Sequence, residues 1–398
     1  MDALTTPLNW QRVRLGDIFF ITAGGDLSKP HYSNTKQSDF NYPIYSNAIE
    51  KKGLYGYSSF FIIKNKSITI TSRGTIGVAF FRDYPYVPIG RLLVLQPKIS
   101  NIDCRFYTEY INSKVKFNTE QTTIPQLTIP KVALCEIPLP PLNEQIAIAN
   151  ILSDVDRYLY SLDALILKKE GVKKALSFEL LSQRKRLKGF NQNWQRVRLG
   201  DMTTSFTKQT GFDYSVSIKP TLIKEQLPNY IPFIQNKDFS GHYINYKTDY
   251  FIPNEIAIRF PQILLNEKCL LISIVGSIGN VAVFNHSQDA FTGCAIAVLK
   301  FKEKKSLDFV MHFLMSASGQ KSLLDIVKAS SHKSIILADL RDLLIPLPPL
   351  NEQIAIANVL SDLDHEIISL KNKKRQFENI KKALNHDLMS AKIRVLKK

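Results

Sequence analysis

The sequence predicts two α+β domains separated by two long helices, which pair as an antiparallel coiled coil in a molecule with an internal pseudo-twofold repeat. The first observation behind this prediction is that the chain of 398 residues contains two long strings twice. The second is that dissimilar segments lie between the recurring strings, with short apolar runs broken by Gly, Pro, Asn and Ser. A chain of this length accommodates two or three domains.

The recurring strings define a frame of fixed size. NWQRVRLGD occupies positions 9–17 and 193–201, and IPLPPLNEQIAIAN occupies positions 137–150 and 345–358. The first string recurs after 184 residues, whereas the second string and a later KKAL recur after 208. The insert between the two strings is therefore 24 residues longer in the second copy (208 minus 184).

Each proline-rich string is followed by the pattern of a long helix. The prolines favour an extended entry, so the helix is expected to begin after them. Apolar residues then follow at the 4-3-4 spacing of a coiled-coil seam, interrupted near Gly171 and its counterpart Asn379. About 45 residues would form a rod on the order of 65 Å long. The predicted seam comprises Val155, Leu159, Leu162, Ile166, Val172, Leu176 and Leu180 in the first copy, and Leu363, Ile367, Leu370, Phe377, Ile380, Leu384 and Leu388 in the second.

The inserts, 18–136 and 202–344, carry the pattern of compact α+β domains. Short apolar runs predict strands at 60–63, 67–71, 92–95, 270–274 and 295–299. Among these strands, helices are predicted over 103–116 and 306–328. If the two rods pack antiparallel, the inserts are expected at opposite ends of the molecule.

The net charge and the absence of catalytic motifs limit the classes of function that the chain could have. Lys and Arg number 52 against 35 Asp and Glu, a net charge of +17 that favours a polyanionic partner such as nucleic acid. The chain lacks the Walker A, GxGxxG, HExxH and GxSxG patterns, an amino-methyltransferase tetrapeptide and an acidic nuclease cluster, so we expect no catalytic site, cofactor or metal in it. Four scattered cysteines, no membrane-spanning run and no signal peptide favour a reducing cytoplasm.

The repeated motifs resemble those of type I restriction–modification enzyme specificity subunits. The resemblance rests on PLPPLNEQ at 138–145 and 346–353, on Trp10 and Trp194 ahead of their Leu-Gly-Asp strings, and on IPFIQNKDFSG at 231–241. It covers essentially the whole chain. It implies target-recognition domains at 1–142 and 191–350, and long helices at 143–190 and 351–398 that set the spacer and dock partners.

The resemblance also implies a division of labour. Each domain would read one half of a bipartite double-stranded DNA target. Two adenine methyltransferase subunits and two restriction–translocase subunits would be the partners, and S-adenosylmethionine, ATP and magnesium would bind to them rather than to this chain.

Polar side chains in loops, set among basic residues, are the candidates for reading bases and holding phosphates. We expect Asn236 to read a base and Lys333 to hold a phosphate. The candidate DNA-contacting residues are Tyr45, Ser46, Asn47, Lys51, Lys52, Arg73, Gln121, Thr122, Thr123, Gln126, Gln235, Asn236, Lys237, Ser331, His332 and Lys333. The candidate partner-docking residues are Leu142, Ile146, Ile148, Leu350, Ile354 and Ile356.

Three alternatives stay open on the sequence alone. The chain could be a single-chain restriction–methylation enzyme or a fragment of one, against which the missing motifs argue. It could be the specificity subunit of a different restriction type with the same two-domain design. It could also be a coiled-coil scaffold that binds proteins rather than DNA, although two unlike inserts would then lack a purpose.

Overall fold

The computed structural model describes residues 10–117, 125–293, 295–328 and 333–395. The chain divides into two compact units, which we call the first unit (Met1–Ala164 with Asn372–Lys398) and the second unit (Leu165–Lys371). Each unit therefore contains one insert and a part of both long helices. Within the described ranges, no helix combines the length and the apolarity that crossing a membrane requires.

The first unit is built on two four-stranded sheets and one two-stranded sheet. Helix α2 packs its apolar face on the sheet of order β2-β9-β6-β7, and Phe106 and Tyr107 are buried there against Ile68 and Leu95. The second sheet has the order β3-β5-β4-β8, with β4 and β8 parallel. The elements are β1 (Gln11–Arg14), α1 (Leu15–Ile18), β2 (Phe19–Ala23), β3 (Tyr32–Ser33), β4 (Tyr42–Tyr45), β5 (Leu54–Ser58), β6 (Ser67–Ile70), β7 (Ala79–Arg82), β8 (Val87–Pro88), β9 (Leu93–Pro97), α2 (Cys104–Lys114), α3 (Ile129–Ala133), β10 (Glu136–Leu139) and the start of α4 (Leu142–Leu181).

The second unit repeats this plan with additional short elements. Its two four-stranded sheets have the orders β12-β21-β18-β19 and β16-β13-β20-β17. The elements are β11 (Gln195–Arg198), β12 (Thr203–Lys208), α5 (Gly211–Asp213), β13 (Tyr230–Ile234), β14 (Phe239–Ser240), β15 (Tyr243–Ile244), β16 (Phe251–Pro253), α6 (Asn254–Ala257), β17 (Leu264–Leu265), β18 (Cys269–Ser273), β19 (Val281–Phe284), β20 (Ala290–Thr292), β21 (Ile296–Phe301), α7 (Leu307–Met315), α8 (Ala317–Asp325), β22 (Val327–Lys328), β23 (Ser334–Ile335), α9 (Leu337–Arg341), β24 (Leu344–Leu347) and the start of α10 (Leu350–Met389).

The prediction of two α+β domains on an antiparallel coiled coil is confirmed. The two inserts have unlike sequences, yet β12-β21-β18-β19 repeats the order of β2-β9-β6-β7. The parallel pair β4–β8 likewise recurs as β13–β20. One backbone scaffold therefore carries two different sets of side chains.

The two recurring strings pair with each other in each unit. Strand β1 runs antiparallel to β10 with Gln11 opposite Leu139, and β11 pairs with β24 in the same register, with Gln195 opposite Leu347. The prolines of the second string tolerate this position because each two-stranded sheet leaves an edge free of hydrogen bonding. The recurring strings thus form a two-stranded sheet where the chain enters and leaves each insert.

A buried glutamate joins the strings in each unit. In the first unit Glu144 is 2% exposed; Trp10 Nε1 donates to its Oε2 at 3.0 Å and Arg394 Nε to its Oε1 at 2.8 Å. In the second unit Glu352 is fully buried and accepts from Trp194 Nε1 at 3.2 Å and Arg186 Nε at 2.9 Å. These hydrogen bonds and ion pairs explain why one string has a tryptophan at its second position and why a glutamate follows the prolines of the other.

The long helices run antiparallel in each unit. In the first unit Asp156 pairs with Lys381 at 2.7 Å and Asp163 pairs with Lys374 at 2.6 Å. Residue numbers therefore increase along α4 in the direction in which they decrease along α10. In the second unit, Lys169 pairs with Glu366 at 2.7 Å. Lys173 also contacts Asp364 there, which is the counterpart of the contact between Lys381 and Asp156.

Several sequence predictions need correction. Helix α4 ends at Leu181 rather than near 190, and α10 ends at Met389, because Gln183 and Ala391 adopt a positive φ that terminates the helix. Both helices continue through the predicted interruption. Val172 and Ile380, placed in the seam, are 40% and 51% exposed.

The inserts also depart from two local predictions. Residues 60–63 form no strand; Phe60, Phe61 and Ile62 are exposed, and Ile63 makes only an isolated bridge to Tyr86. The helix predicted over 306–328 is split into α7 and α8, because Ser316 is extended and its hydroxyl caps α8 by accepting from Gly319 N. The helix predicted over 103–116 is present as α2.

Two of the predicted docking residues are wrong. Ile148 and Ile356 are each 1% exposed and lie in the hydrophobic cores of their own units, so neither can present its side chain to a partner. Ile146 is exposed, and the other three predicted residues, Leu142, Leu350 and Ile354, are half-buried.

Candidate nucleic-acid interface

In the first unit, the side chain of Asn47 forms hydrogen bonds with other loops that carry or adjoin candidate DNA-contacting residues. Asn47 follows β4, and its Nδ2 donates to Gly90 O at 2.6 Å. Its Oδ1 accepts from Ser72 N at 2.7 Å. Three loops, those after β4, β6 and β8, therefore meet at one side chain; we call this the first loop junction.

The loop ahead of α3 reaches the same junction. Leu127 N donates to Ser72 O at 2.9 Å, and Arg73 Nη2 donates to Gln126 Oε1 at 3.2 Å. The structure thus brings together Arg73 and Gln126, two candidate DNA-contacting residues that lie 53 positions apart in the sequence.

Lys51 and Lys52 lie on a strained turn beside this junction. Both are exposed and adopt left-handed backbone angles, φ 49° and 54°, which cost about 1 kcal/mol or more each outside glycine. The turn is held from inside by Arg82, which is 1% exposed and donates through Nη2 to Lys52 O at 2.6 Å. A buried arginine thereby fixes the backbone of two exposed lysines.

Tyr45 occupies a different place from the one predicted. It is buried at the end of β4, with the Arg82 guanidinium 3.6 Å from its ring centroid and its hydroxyl 2.7 Å from that of Tyr84. Burial, followed by the bond to Tyr84, raises the pKa of the Tyr45 hydroxyl. The ring is buried next to the first loop junction, so the prediction that Tyr45 contacts DNA at the surface is wrong. Ser46, the next residue, is half-buried.

The second unit has an equivalent junction around Asn236. Its Nδ2 donates to Val275 O at 2.8 Å, which joins the loop after β13 to the loop after β18. Val275 forms a bridge with Ser334, and Ile335 N donates to Ile274 O at 2.9 Å, so the loop that carries Lys333 arrives at the same point. We call this the second loop junction.

The neighbours of Asn236 are held by local contacts. Gln235 N donates to Asp238 Oδ2 at 2.8 Å, and burial raises the pKa of that carboxyl. The Lys237 ammonium forms an ion pair with Asp249, which raises the pKa of the lysine. Of the predicted second-unit cations, Lys333 is exposed and has no ion-pair partner within the described part of the chain.

Five predicted contact residues lie outside the described residues: Gln121, Thr122, Thr123, Ser331 and His332. The remaining assignments stay predictions. One cation beside the first junction escaped the sequence reasoning, because nothing in the pattern around Arg91 distinguishes it from a residue of the following strand. In the part of the chain that the structure describes, no group of His, Cys, Asp and Glu is arranged to hold a metal ion.

The placement of the two asparagines changes the prediction made for Asn236. Because its amide holds a loop, Asn236→Ala should lower the free energy of unfolding by about 1 kcal/mol and loosen base preference at several positions rather than one. Asn47→Ala should cost more, about 2–3 kcal/mol, because it leaves both Ser72 N and Gly90 O without their partner. Urea unfolding measures both, with the exposed Asn191→Ala as control. Equal, negligible losses would contradict the positioning role.

Comparison with known proteins shows where this architecture recurs. Residues 7–169 and 191–379 each match the family described as the type I restriction modification DNA specificity domain. The type I restriction enzyme MjaVIII specificity subunit of Methanocaldococcus jannaschii is 25% identical, over 99% of this chain and 95% of that protein. A putative type I specificity subunit of Mycoplasma pneumoniae, S.MpnORF89P, is 31% identical over 41% of this chain and 49% of its own length. The crystal structure of the S subunit of a type I restriction–modification system from M. genitalium superposes with a TM-score of 0.65 at 18% identity, covering 96% of each chain.

Proposed function

This chain belongs to the family of type I restriction–modification DNA specificity subunits, and from that premise we propose that each of its two units reads one half of a bipartite double-stranded DNA target. The chain itself performs no chemistry in this proposal. It directs partner subunits, an adenine methyltransferase and a nuclease–translocase, to the site that it recognises.

The observation that carries this proposal is the pair of loop junctions. Both place an asparagine after the corresponding strand, β4 or β13, and both bring distant loops together on a rigid sheet. The charged side chains around them differ: Lys51, Lys52 and Arg73 are exposed in the first, whereas the described residues of the second include the exposed Lys333 and Lys237, which pairs with Asp249. Equivalent scaffolds with unlike side chains suit two unlike half-sites, so the target need not be palindromic.

The duplicated frame supports two docking sites for identical partners. Because the strings and the ion pairs around Glu144 and Glu352 recur, a methyltransferase subunit that binds one copy finds a similar surface on the other. The exposed Ile146 and the half-buried Leu142 belong to that surface, as do Leu350 and Ile354 in the second copy. Two restriction–translocase subunits complete the assembly, with S-adenosylmethionine, ATP and magnesium held by the partner subunits in the cytoplasm. The length of the two paired helices sets the length of the spacer between the two half-sites.

Mapping of methylated adenines tests this function. The chain is co-expressed with its methyltransferase partner in a host that lacks other adenine methylation, and modified adenines are located across the genome. A single motif of two short specific halves around a fixed gap is the expected result. Co-purification of the two proteins without sequence-specific DNA binding or methylation would favour the coiled-coil scaffold instead.

Lys333 offers a direct test of phosphate contact. Lys333→Ala should weaken binding of the complex to all duplexes alike and reduce the slope of log Kd against log salt by about one. Lys305→Ala is the matched control, because this exposed lysine follows the end of β21 whereas the second loop junction adjoins its start. A selective loss for one sequence, with an unchanged salt slope, would contradict the phosphate assignment.

A further inference from the structure

Four hydrogen bonds from other loops hold the turn at Gly90 and Arg91 in the first loop junction. Gly90 N donates to Gly25 O at 2.8 Å, and Arg91 N donates to Gly24 O at 3.0 Å. Arg91 O accepts from Ser72 Oγ at 2.7 Å, and Gly90 O accepts from Asn47. Contacts from three separate loops therefore fix four backbone groups of two consecutive residues.

Arg91 is exposed at the surface of this fixed turn. Its φ is 63°, a left-handed conformation that is uncommon for an arginine and persists only where the surroundings enforce it. Among the residues that the structure describes, no carboxylate or other group pairs with its guanidinium. A free cation on a strained, preorganised backbone is a feature typical of binding sites, since the ordering cost has already been met by the fold.

The second unit has a position with the same left-handed backbone conformation and a different side chain. Ile70 lies opposite Leu93 across the sheet of the first unit, and Ile272 lies opposite Ala297 in the second. Counting back two residues in each strand aligns Arg91 with Ala295. Ala295 also has a positive φ, 77°, and its carbonyl accepts from Ile274 N at 2.8 Å. The scaffold therefore enforces a positive φ at this position in both units, and the first unit has an arginine there whereas the second has an alanine.

We propose that Arg91 is a specificity-determining residue of the first unit, whose guanidinium hydrogen-bonds the O6 and N7 acceptors of a guanine in the major groove of the first half-site. This inference rests on the proposed function. The planar fork of donors matches the two guanine acceptors and no other base edge. Lys51 and Lys52, on a neighbouring loop, supply point charges for the phosphates. The alanine at the corresponding place in the second unit makes no such contact, so the requirement belongs to one half of the target.

The test compares adenine methylation maps for the wild-type complex, Arg91→Gly, Arg91→Gln and Lys66→Ala. Glycine suits the positive φ, so Arg91→Gly should retain or raise the melting temperature while it removes the guanidinium. Arg91→Gln keeps a polar but shorter side chain without the guanidinium, and serves if the glycine variant misfolds. Lys66 is an exposed lysine ahead of β6, at the far end of the sheet from the junction, and controls for the loss of one charge.

The proposal expects a guanine requirement at one position of the wild-type target to relax by about 10- to 100-fold in both Arg91 variants. The other positions and the second half-site should stay unchanged, and Lys66→Ala should match the wild type. An unchanged target in the Arg91 variants would overturn the proposal. So would a uniform loss of methylation across all sequences, because that result identifies a phosphate contact. A wild-type complex without any bipartite motif would refute the proposed function itself, and is distinguished by the wild-type map alone.

Discussion

Replacing Glu352 with glutamine should lower the free energy of unfolding of the second unit by about 2–3 kcal/mol. The carboxylate is fully buried and accepts from both Arg186 and Trp194. Without it, the Arg186 guanidinium loses its counter-ion. Water cannot fully replace that carboxylate, because the Arg186 side chain is only 24% exposed. Because these three residues join the two recurring strings and the segment after α4, their loss loosens the base of the insert as a whole.

The two tryptophans make this prediction measurable in each unit separately. Trp10 and Trp194 are the two tryptophans of the chain. Trp10 donates a hydrogen bond to Glu144, and Trp194 donates one to Glu352. In a Trp10→Phe background, the fluorescence of Trp194 therefore follows urea unfolding of the second unit alone. In a Trp194→Phe background, Trp10 reports the effect of Glu144→Gln on the first unit, where Arg394 is the orphaned cation.

Glu366→Gln is the matched control for Glu352→Gln. It removes an exposed carboxylate that pairs with Lys169 in the same unit, and pairs of this kind contribute less than about 1 kcal/mol. If both variants shift the urea midpoint by the same small amount, the buried glutamate is not the structural anchor that its contacts indicate.

The frame could be predicted from the sequence because it is written twice. The repeated strings predicted the duplication, and the apolar spacing predicted the two long helices and their pairing. The roles of Trp10 and Glu144 could not be predicted, because these residues lie 134 positions apart and their hydrogen bond has no signature in local periodicity. For the same reason Val172 and Ile380 were assigned to the seam: spacing gives a face of the helix but not whether the partner helix covers it.

The candidate site was predictable by residue type and not by role. Loops rich in polar and basic residues indicated the right segments, and the structure joins several of them around Asn47 and Asn236. An amide that bonds Gly90, 43 residues away, looks the same in sequence as one that reads a base. Likewise, the strained turn at Arg91 depends on bonds from three other loops, none of which a local pattern reveals.

Replacing the second insert with a copy of the first should convert an asymmetric target into a symmetric one. The recurring strings end at Asp17 and Asp201 and resume at Ile137 and Ile345, so residues 18–136 can replace 202–344 between identical ends. The strand register at both ends is the same in the two units, and so are the contacts of the buried glutamates. The base on which either insert rests is therefore preserved.

Adenine methylation mapping with the partner methyltransferase measures the outcome. Under the proposed function the two halves of the new motif should be inverted copies of the first half-site, because a pseudo-twofold frame presents identical domains to opposite strands. Sites of the original target should lose about 10³-fold or more in relative modification, since every base read by the second insert is now mismatched. Reinsertion of residues 202–344 through the same junctions is the control and should restore the original motif. A target that keeps its original second half after the exchange would show that the frame, and not the insert, reads that half, and the division of labour proposed for this chain would then be wrong.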